Sequence, residues 1–128
     1  MPAFATGDTI VVATETVLVT SPAVIIDTPQ YVVVLHGLVD LTLDADATAV
    51  TLYLERGTVE GGTLISYGNT WGPYPVTGGD EYQFAVAGYD NPYQGFGAQY
   101  VLTTVLTGND GTTTVNAAYL EVIVQART

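Results

Sequence analysis

Several strand-like segments of this chain are apolar on both faces, and this feature constrains the fold more than any other. In the segment Gln30 to Leu43 one face is apolar throughout, and the other still carries three aliphatic side chains beside His36 and Asp40. The segment Val115 to Ala126 repeats the pattern. Antiparallel sheets with one wet face normally alternate apolar and polar residues. Doubly apolar strands in a chain this short therefore predict burial against further copies of the same chain.

Length and composition predict one folded domain over residues 1–128, in which residues 1–8 form an N-terminal arm. A chain of 128 residues can bury one hydrophobic core but is too short for two. Hydrophobic residues make up 48% of it, yet no apolar stretch approaches the roughly 20 residues that span a bilayer. The first residues lack the basic region and long apolar run of a secretory signal. With no cysteine, no disulfide is expected and the redox compartment stays open.

The charge balance argues against two classes of partner. Thirteen acidic residues face only Arg56 and Arg127, and the formal net charge is −11. Such a surface repels phosphate groups, so we expect neither nucleic acid nor an anionic membrane as a partner. The acidity is most simply explained as a means of keeping an apolar chain in solution. We expect Arg56 to pair with Glu55, with Glu60 or with an acidic residue of another subunit.

The secondary structure predicted from the sequence is all-β. Eight segments rich in valine, threonine, leucine, isoleucine and tyrosine are separated by turns of glycine, asparagine and aspartate. No helical period is present. Short strands separated by such turns predict an antiparallel β-sandwich of jelly-roll type. The predicted strands are Thr9 to Thr20, Ala23 to Ile26, Gln30 to Leu43, Ala49 to Arg56, Thr63 to Tyr67, Glu81 to Tyr89, Gln99 to Thr107 and Thr114 to Ala126.

Five segments carry a resemblance to a known group of proteins. They are Val32 to Gly37, Leu52 to Thr58, Asp90 to Pro92, Gln99 to Thr103 and Val115 to Leu120. As a pattern of strands and turns over residues 10–126, the chain resembles the small virion accessory proteins of tailed bacteriophages. Those proteins are similar to the tumour-necrosis-factor-like jelly roll, a trimer-forming β-sandwich, and many decorate or cement the capsid exterior. The chain departs from that pattern in the segment Tyr67 to Pro75.

The resemblance implies a homotrimeric decoration or cement protein on the outer surface of a phage capsid. Its partners would be further copies of itself and the lattice of the major capsid protein. An acidic exterior agrees with a place outside the shell, because packaged DNA would repel it in the lumen. Threefold symmetry would bury the second apolar face around an axis. The residues expected at that oligomer interface are Tyr53, Val101, Val105, Tyr119 and Ile123.

Two predicted loops gather most of the aromatic residues among glycine and proline. Aromatic rings beside aspartate and asparagine suit a protein surface or a sugar ring. We expect a structural or intersubunit role first and capsid docking second. The alternative function is a glycan- or receptor-binding module of a fibre or cell surface. The candidate partner-binding residues are Tyr67, Asn69, Trp71 and Tyr74 in the first loop, and Asp90, Tyr93 and Phe96 in the second.

The sequence offers little for catalysis, and we expect no enzyme and no cofactor. The single histidine, His36, lies in mid-strand, where a packing role is commoner than that of a general base. Neither a nucleophile elbow nor a phosphate-binding glycine loop with lysine is present. Asp40, Asp44 and Asp46 cluster at a strand end and could offer oxygen ligands to Ca²⁺, but they lack the glycine and terminal glutamate of an EF-hand. A solvated turn is the preferred interpretation, and no metal is expected.

Overall fold

The computed structural model describes residues 2–5, 7–11, 14–22, 24–25, 31–56, 69–90 and 97–126. Over these ranges the chain is all-β, as predicted, and contains no helix that could cross a membrane. The strands are β1 (Pro2–Ala5), β2 (Asp8–Ile10), β3 (Thr16–Thr20), β4 (Val24–Ile25), β5 (Tyr31–Thr42), β6 (Ala49–Arg56), β7 (Asn69–Pro75), β8 (Glu81–Asp90), β9 (Gly97–Ala98), β10 (Tyr100–Thr107) and β11 (Thr113–Ala126).

Two antiparallel sheets form a sandwich-like arrangement. In the first sheet β1 and β2 follow one another along one edge of β11, and the order continues through β5 to β8. The order in the second sheet is β3, β10, β6, β7. A short pair, β4 with β9, lies apart from both. In the described part of the chain, β8 is therefore an edge strand of the first sheet and β7 an edge strand of the second.

The strand pairs are nested along the chain. The pairs β2·β11, β3·β10, β4·β9, β5·β8 and β6·β7 are all antiparallel, and each lies inside the one before it. The chain thus runs as one long hairpin whose centre lies between β6 and β7. Two further antiparallel pairs, β11·β5 and β10·β6, complete the two sheets. This winding places the inner faces of the sheets against each other.

The core is made by the alternating apolar residues that face the opposite sheet. In β5 these are the odd-numbered positions from Val33 to Leu41, all of them buried. The second sheet contributes Leu52, Leu54 and Leu102, which are fully buried. Gly37 allows close packing here, because a Cβ at this position would lie 3.2 Å from Leu102 Cδ2 and 2.7 Å from Val86 Cγ2.

Five long strands agree with the sequence prediction to within a residue or two: β5, β6, β8, β10 and β11. The predicted strand Thr9 to Thr20 is wrong as one element, since it divides into β2 and β3. Strand β7 was predicted as a loop. It contains Gly72, Pro73 and Pro75, which signal turns in a sequence, yet proline is compatible with an edge strand because the outer edge needs no donor. The predicted strand Thr63 to Tyr67 lies outside the described residues.

Candidate assembly face

The outer face of the first sheet carries side chains in regular rows across β11, β5 and β8. One row contains Tyr119, Leu38 and Ala85, and another contains Ile123, Val34 and Tyr89. Residues directly opposite in neighbouring strands share a face and lie side by side. We call this surface the apolar face. It is formed by Val32, Val34, Leu38, Ala85, Ala87, Tyr89, Tyr119 and Ile123.

The apolar face is open to solvent in the single chain. Leu38 is 55% exposed, Tyr89 is 70% exposed and Ile123 is 37% exposed, and Ala85 and Ala87 are exposed as well. A single exposed aliphatic residue is ordinary, but contiguous apolar patches typically mark a surface that contacts another molecule. Two of the three strands that supply it, β5 and β11, were predicted to be apolar on both sides. The second set of apolar residues in these strands therefore lies on the apolar face.

One polar row crosses the apolar face between the two apolar rows. It contains Glu121, His36 and Ala87, and His36 Nδ1 lies 3.6 Å from Glu121 Oε1. A shallow depression of about 440 Å³ lies over this row and the row of Leu38. Burial, a hydrogen bond to Glu121 and the charge of Glu121 raise the pKa of the Tyr119 hydroxyl above its usual range. Tyr119 is therefore neutral at physiological pH.

A polar cluster closes one end of the apolar face. The Asn116 side-chain amide donates to Asp40 Oδ1 at 3.0 Å and to Glu81 Oε2 at 3.1 Å, and Gln83 donates to Asp40 Oδ2 at 3.2 Å. The hydrogen bond from Asn116 lowers the pKa of Asp40. The hydrogen bond that Glu81 shares with Asp40 raises the pKa of Glu81. Ionisation of Asp40 at this end of the face therefore disfavours ionisation of Glu81.

The outer face of the second sheet differs, because the chain itself covers much of it. Val101 and Thr103 are fully buried, and Thr51 and Glu55 are nearly so. The five residues predicted for the oligomer interface are therefore divided between two sheets. Tyr119 and Ile123 lie on the apolar face, whereas Tyr53, Val101 and Val105 lie on the outer face of the second sheet. Tyr53 and Val105 are half-buried, and Val101 offers no surface to a partner.

A pair of carboxyl groups lies on that covered face. The Thr103 hydroxyl donates to Glu15 Oε2 at 2.9 Å, and Glu55 lies beside Glu15 at only 7% exposure. Glu55 Oε2 is buried and has no hydrogen-bond partner among the residues that the structure describes. Burial, followed by the charge of Glu15, raises the pKa of Glu55. The sequence analysis missed this pair, because it considered Glu55 only as a possible partner of Arg56.

Three of the four predicted partner-binding residues of the first group lie in a strand and not in a loop. Asn69, Trp71 and Tyr74 belong to β7 and are paired with Leu54, Leu52 and Val50 of β6. Tyr74 stacks on Phe84 of β8, with ring centroids 5.6 Å apart, and Phe84 stacks in turn on Tyr82. Trp71 and Phe84 pack against the core. These aromatic rings close the side of the sandwich between the edges of the two sheets.

The second group is described only at Asp90, the last residue of β8. Asp90 is buried; it accepts a hydrogen bond of 2.8 Å from the Tyr100 hydroxyl and lies 3.0 Å from Arg56 Nε. The prediction of a loop position is wrong for Asp90. Asp90 is a partner of Arg56 that was not predicted, and Glu60, one of the predicted partners, lies outside the described residues. Tyr67, Tyr93 and Phe96 lie outside the described residues.

The three aspartates considered for calcium do not converge. In the described ranges no group of three or more histidine, cysteine, aspartate or glutamate side chains is arranged to hold a metal ion. Asp40 lies in the polar cluster at the end of the apolar face. Asp44 caps a turn: hydrogen bonds from the backbone amides of Asp46 and Gly111 lower its pKa. Its carboxylate accepts hydrogen bonds from neighbouring turns, which is a structural role.

Comparisons with known proteins give no relative. No protein-family model matches the chain, and neither a curated protein nor a solved structure matches it. The candidate site is therefore defined by the geometry of the described residues.

Proposed function

We propose that this chain is a structural protein that assembles with copies of itself through the apolar face. The observation that carries the proposal is the contrast between the two outer faces. The chain covers much of the second sheet, whereas Leu38, Tyr89 and Ile123 of the first sheet stay exposed. Burial of apolar area contributes about 25 cal/mol for each Å² removed from water, before the entropy lost on association is subtracted. A sister subunit that covers this face supplies that burial.

The jelly-roll topology belongs to the same proposal. A jelly roll contains eight strands in two sheets and is built from two Greek keys. The nested antiparallel pairs described above support it, because the two four-stranded rows β2–β11–β5–β8 and β3–β10–β6–β7 arise when one long hairpin is rolled up. The short β1 then extends the edge that β2 begins.

We further propose a homotrimer that decorates or cements the exterior of a tailed-phage capsid. The resemblance of the strand and turn pattern to virion accessory proteins supports this assignment. The net charge of −11 supports an exterior position, since it disfavours contact with packaged DNA. Three docking surfaces on one rigid trimer would bind a lattice more tightly than one surface alone. Immunogold labelling of intact source particles tests the assignment. Label on the shell exterior is expected, and label confined to disrupted particles or absent from them contradicts it.

A matched pair of variants tests the use of the apolar face. The double variant Leu38→Thr with Ile123→Thr removes aliphatic area from the face while keeping strand-forming residues. Val11→Thr with Val17→Thr is the control, because Val11 is 60% and Val17 43% exposed and neither lies on the apolar face. Light scattering during gel filtration should show dissociation of the first variant only. Equal masses for the two variants would contradict the proposed face.

A further inference from the structure

Strand β8 is an edge strand of the first sheet, and its outer edge is long and regular. It contains ten residues, and its pairing with β5 continues without irregularity from Glu81 to Asp90. In the described ranges no strand pairs with its other side. Edge strands present unpaired backbone amides and carbonyls, and natural proteins usually shield them by short length, proline, lysine or a bulge. Strand β8 contains neither proline nor lysine.

The other edge strands of the two sheets, over the described residues, all carry such protection. Strand β7 contains Pro73 and Pro75, and its pairing with β6 is irregular between Val50 and Leu52. Strand β3 has five residues and an irregular pairing with β10. Strands β1 and β2 have only four and three residues. Strand β8 is therefore the edge at which a further strand can pair without obstruction.

The two ends of β8 differ in how their charges are compensated. At one end the carboxylate of Asp90 lies 3.0 Å from Arg56 Nε. At the other end Glu81 accepts a hydrogen bond from Asn116, which also donates to Asp40, and no lysine or arginine among the described residues pairs with Glu81. The hydrogen bond with Asp40 and the charge of Asp40 raise the pKa of Glu81. A positive side chain beside Glu81 would offset that repulsion.

We propose that β8 binds an extended segment of a different protein as a further antiparallel strand, with a lysine or arginine of that segment beside Glu81. Main-chain hydrogen bonds to the free edge supply the affinity in this mode of recognition, and side chains at alternate positions supply the specificity. All strand pairs described above are antiparallel, so the basic residue lies near the carboxyl end of the incoming segment. The exposed side chains of Ala85 and Ala87 are small and leave room for apolar residues beside them. This contact is separate from self-assembly through the apolar face.

Charge complementarity favours a different protein over a second copy of this chain. The chain has two arginines and no lysine. Arg56 is the one lysine or arginine of the described strands, and it is already engaged by Asp90. Two copies that paired through their described strands would therefore leave Glu81 without a cation.

Two synthetic peptides test the proposal on the full chain. One is Thr-Val-Thr-Val-Thr-Val-Lys-Lys, and the other has glutamate in place of both lysines. Fluorescence anisotropy of the labelled peptides should show that the lysine peptide binds at least about fivefold more tightly, as expected for opposite against like charges beside Glu81. Hydrogen exchange followed by NMR, with and without the lysine peptide, should show added protection in β8 and in no other edge strand.

A charge reversal with a matched control assigns the effect to its position. In Glu81→Lys the glutamate peptide should bind more tightly than the lysine peptide. Asp110→Lys changes the net charge equally, at an exposed residue of the turn between β10 and β11, and should keep the original order. Circular dichroism checks that both variants are folded, since each replaces an exposed side chain. The same change of order in both variants would assign the preference to net charge and overturn the proposal.

The remaining outcomes separate this inference from the proposed function. The lysine peptide should bind the Leu38→Thr, Ile123→Thr variant as tightly as the natural chain, because the edge of β8 does not require the apolar face. Failure of the lysine peptide to bind, or added protection outside β8, contradicts the edge contact and leaves self-assembly standing. Displacement of the peptide as the concentration of that double variant rises would identify a second copy as the occupant, and the proposal of a different protein would then be wrong.

Discussion

The buried Tyr100 hydroxyl donates a hydrogen bond of 2.8 Å to Asp90 Oδ2, and the same oxygen lies 3.0 Å from Arg56 Nε. This network joins β10, β8 and β6, and so joins the two sheets of the sandwich. The sequence predicted a loop position for Asp90, and the structure instead places its carboxylate in this buried network. The carboxylate is buried and depends on both partners for compensation of its charge.

Removal of the Tyr100 hydroxyl should therefore destabilise the fold. The change Tyr100→Phe keeps the ring in the core and takes one donor from a buried carboxylate, at an expected loss of about 1–3 kcal/mol in the free energy of unfolding. Urea denaturation followed by circular dichroism measures it. Tyr74→Phe is the control, because Tyr74 is 39% exposed, lies outside the apolar face and keeps its ring in the change. A loss no larger than that of the control would show that the network contributes nothing to stability.

Glu55→Gln should stabilise the protein at neutral pH. Burial and the charge of Glu15 raise the pKa of Glu55, so the folded state binds the proton more tightly than the unfolded state does. The stabilisation linked to this proton is complete below the unfolded pKa and is lost as pH rises through the folded pKa. The amide carries no charge and can donate to Glu15. We expect a gain of about 1–2 kcal/mol at pH 7, comparable to relief of an unsatisfied buried group.

The pH dependence of this gain identifies its cause. Thermal unfolding of both proteins from pH 7 downwards should show the difference shrinking as pH falls through the raised pKa of the folded state, and gone below the ordinary glutamate value of 4.5, where the natural side chain is neutral in both states. Glu15→Gln, which removes the neighbouring charge, should give a smaller gain in the same direction. A gain independent of pH would assign the effect to packing instead of charge.

Gly37→Ala should destabilise the sandwich, because the added Cβ would lie 2.7 Å from Val86 Cγ2 and 3.2 Å from Leu102 Cδ2. Overpacking of this kind costs about 1–3 kcal/mol. Combination with Val86→Ala makes room for the methyl group, so a double-mutant cycle in urea should show a favourable coupling between the two changes. Additive effects would mean that the strands move apart without strain.

Trp71→Ala distinguishes a structural role from glycan recognition. Trp71 packs against the core, so its truncation should lower the free energy of unfolding by about 1–3 kcal/mol, less than for a fully buried ring. Chemical denaturation measures this loss, with Val11→Ala as a control, because Val11 is 60% exposed and lies outside the apolar face. Glycan arrays probed with the natural chain and with the variant test the alternative function. A sugar signal that disappears in a variant of unchanged stability would favour recognition.

The sequence predicted the long strands well and the surfaces less well, for physical reasons. Runs of β-branched and aromatic residues identified β5 and β11, but the glycine and prolines of β7 resemble a loop locally, since only pairing with β6 makes the segment a strand. Apolarity on both faces of β5 and β11 agrees with the exposed apolar face, and the burial against further copies that it predicted stays a prediction. The pattern could not show that Val101 is buried and Ile123 exposed, because exposure depends on the tertiary fold and not on alternation along one strand.

Sedimentation equilibrium of the natural chain at low micromolar concentration and pH 6 tests the central claim most directly. The subunit mass is 13.5 kDa. We expect a mass of three times this value, as for the proposed trimer, together with slowed hydrogen exchange in β5, β8 and β11 relative to the Leu38→Thr, Ile123→Thr variant. A monomer whose apolar face exchanges as freely as that of the variant would contradict it.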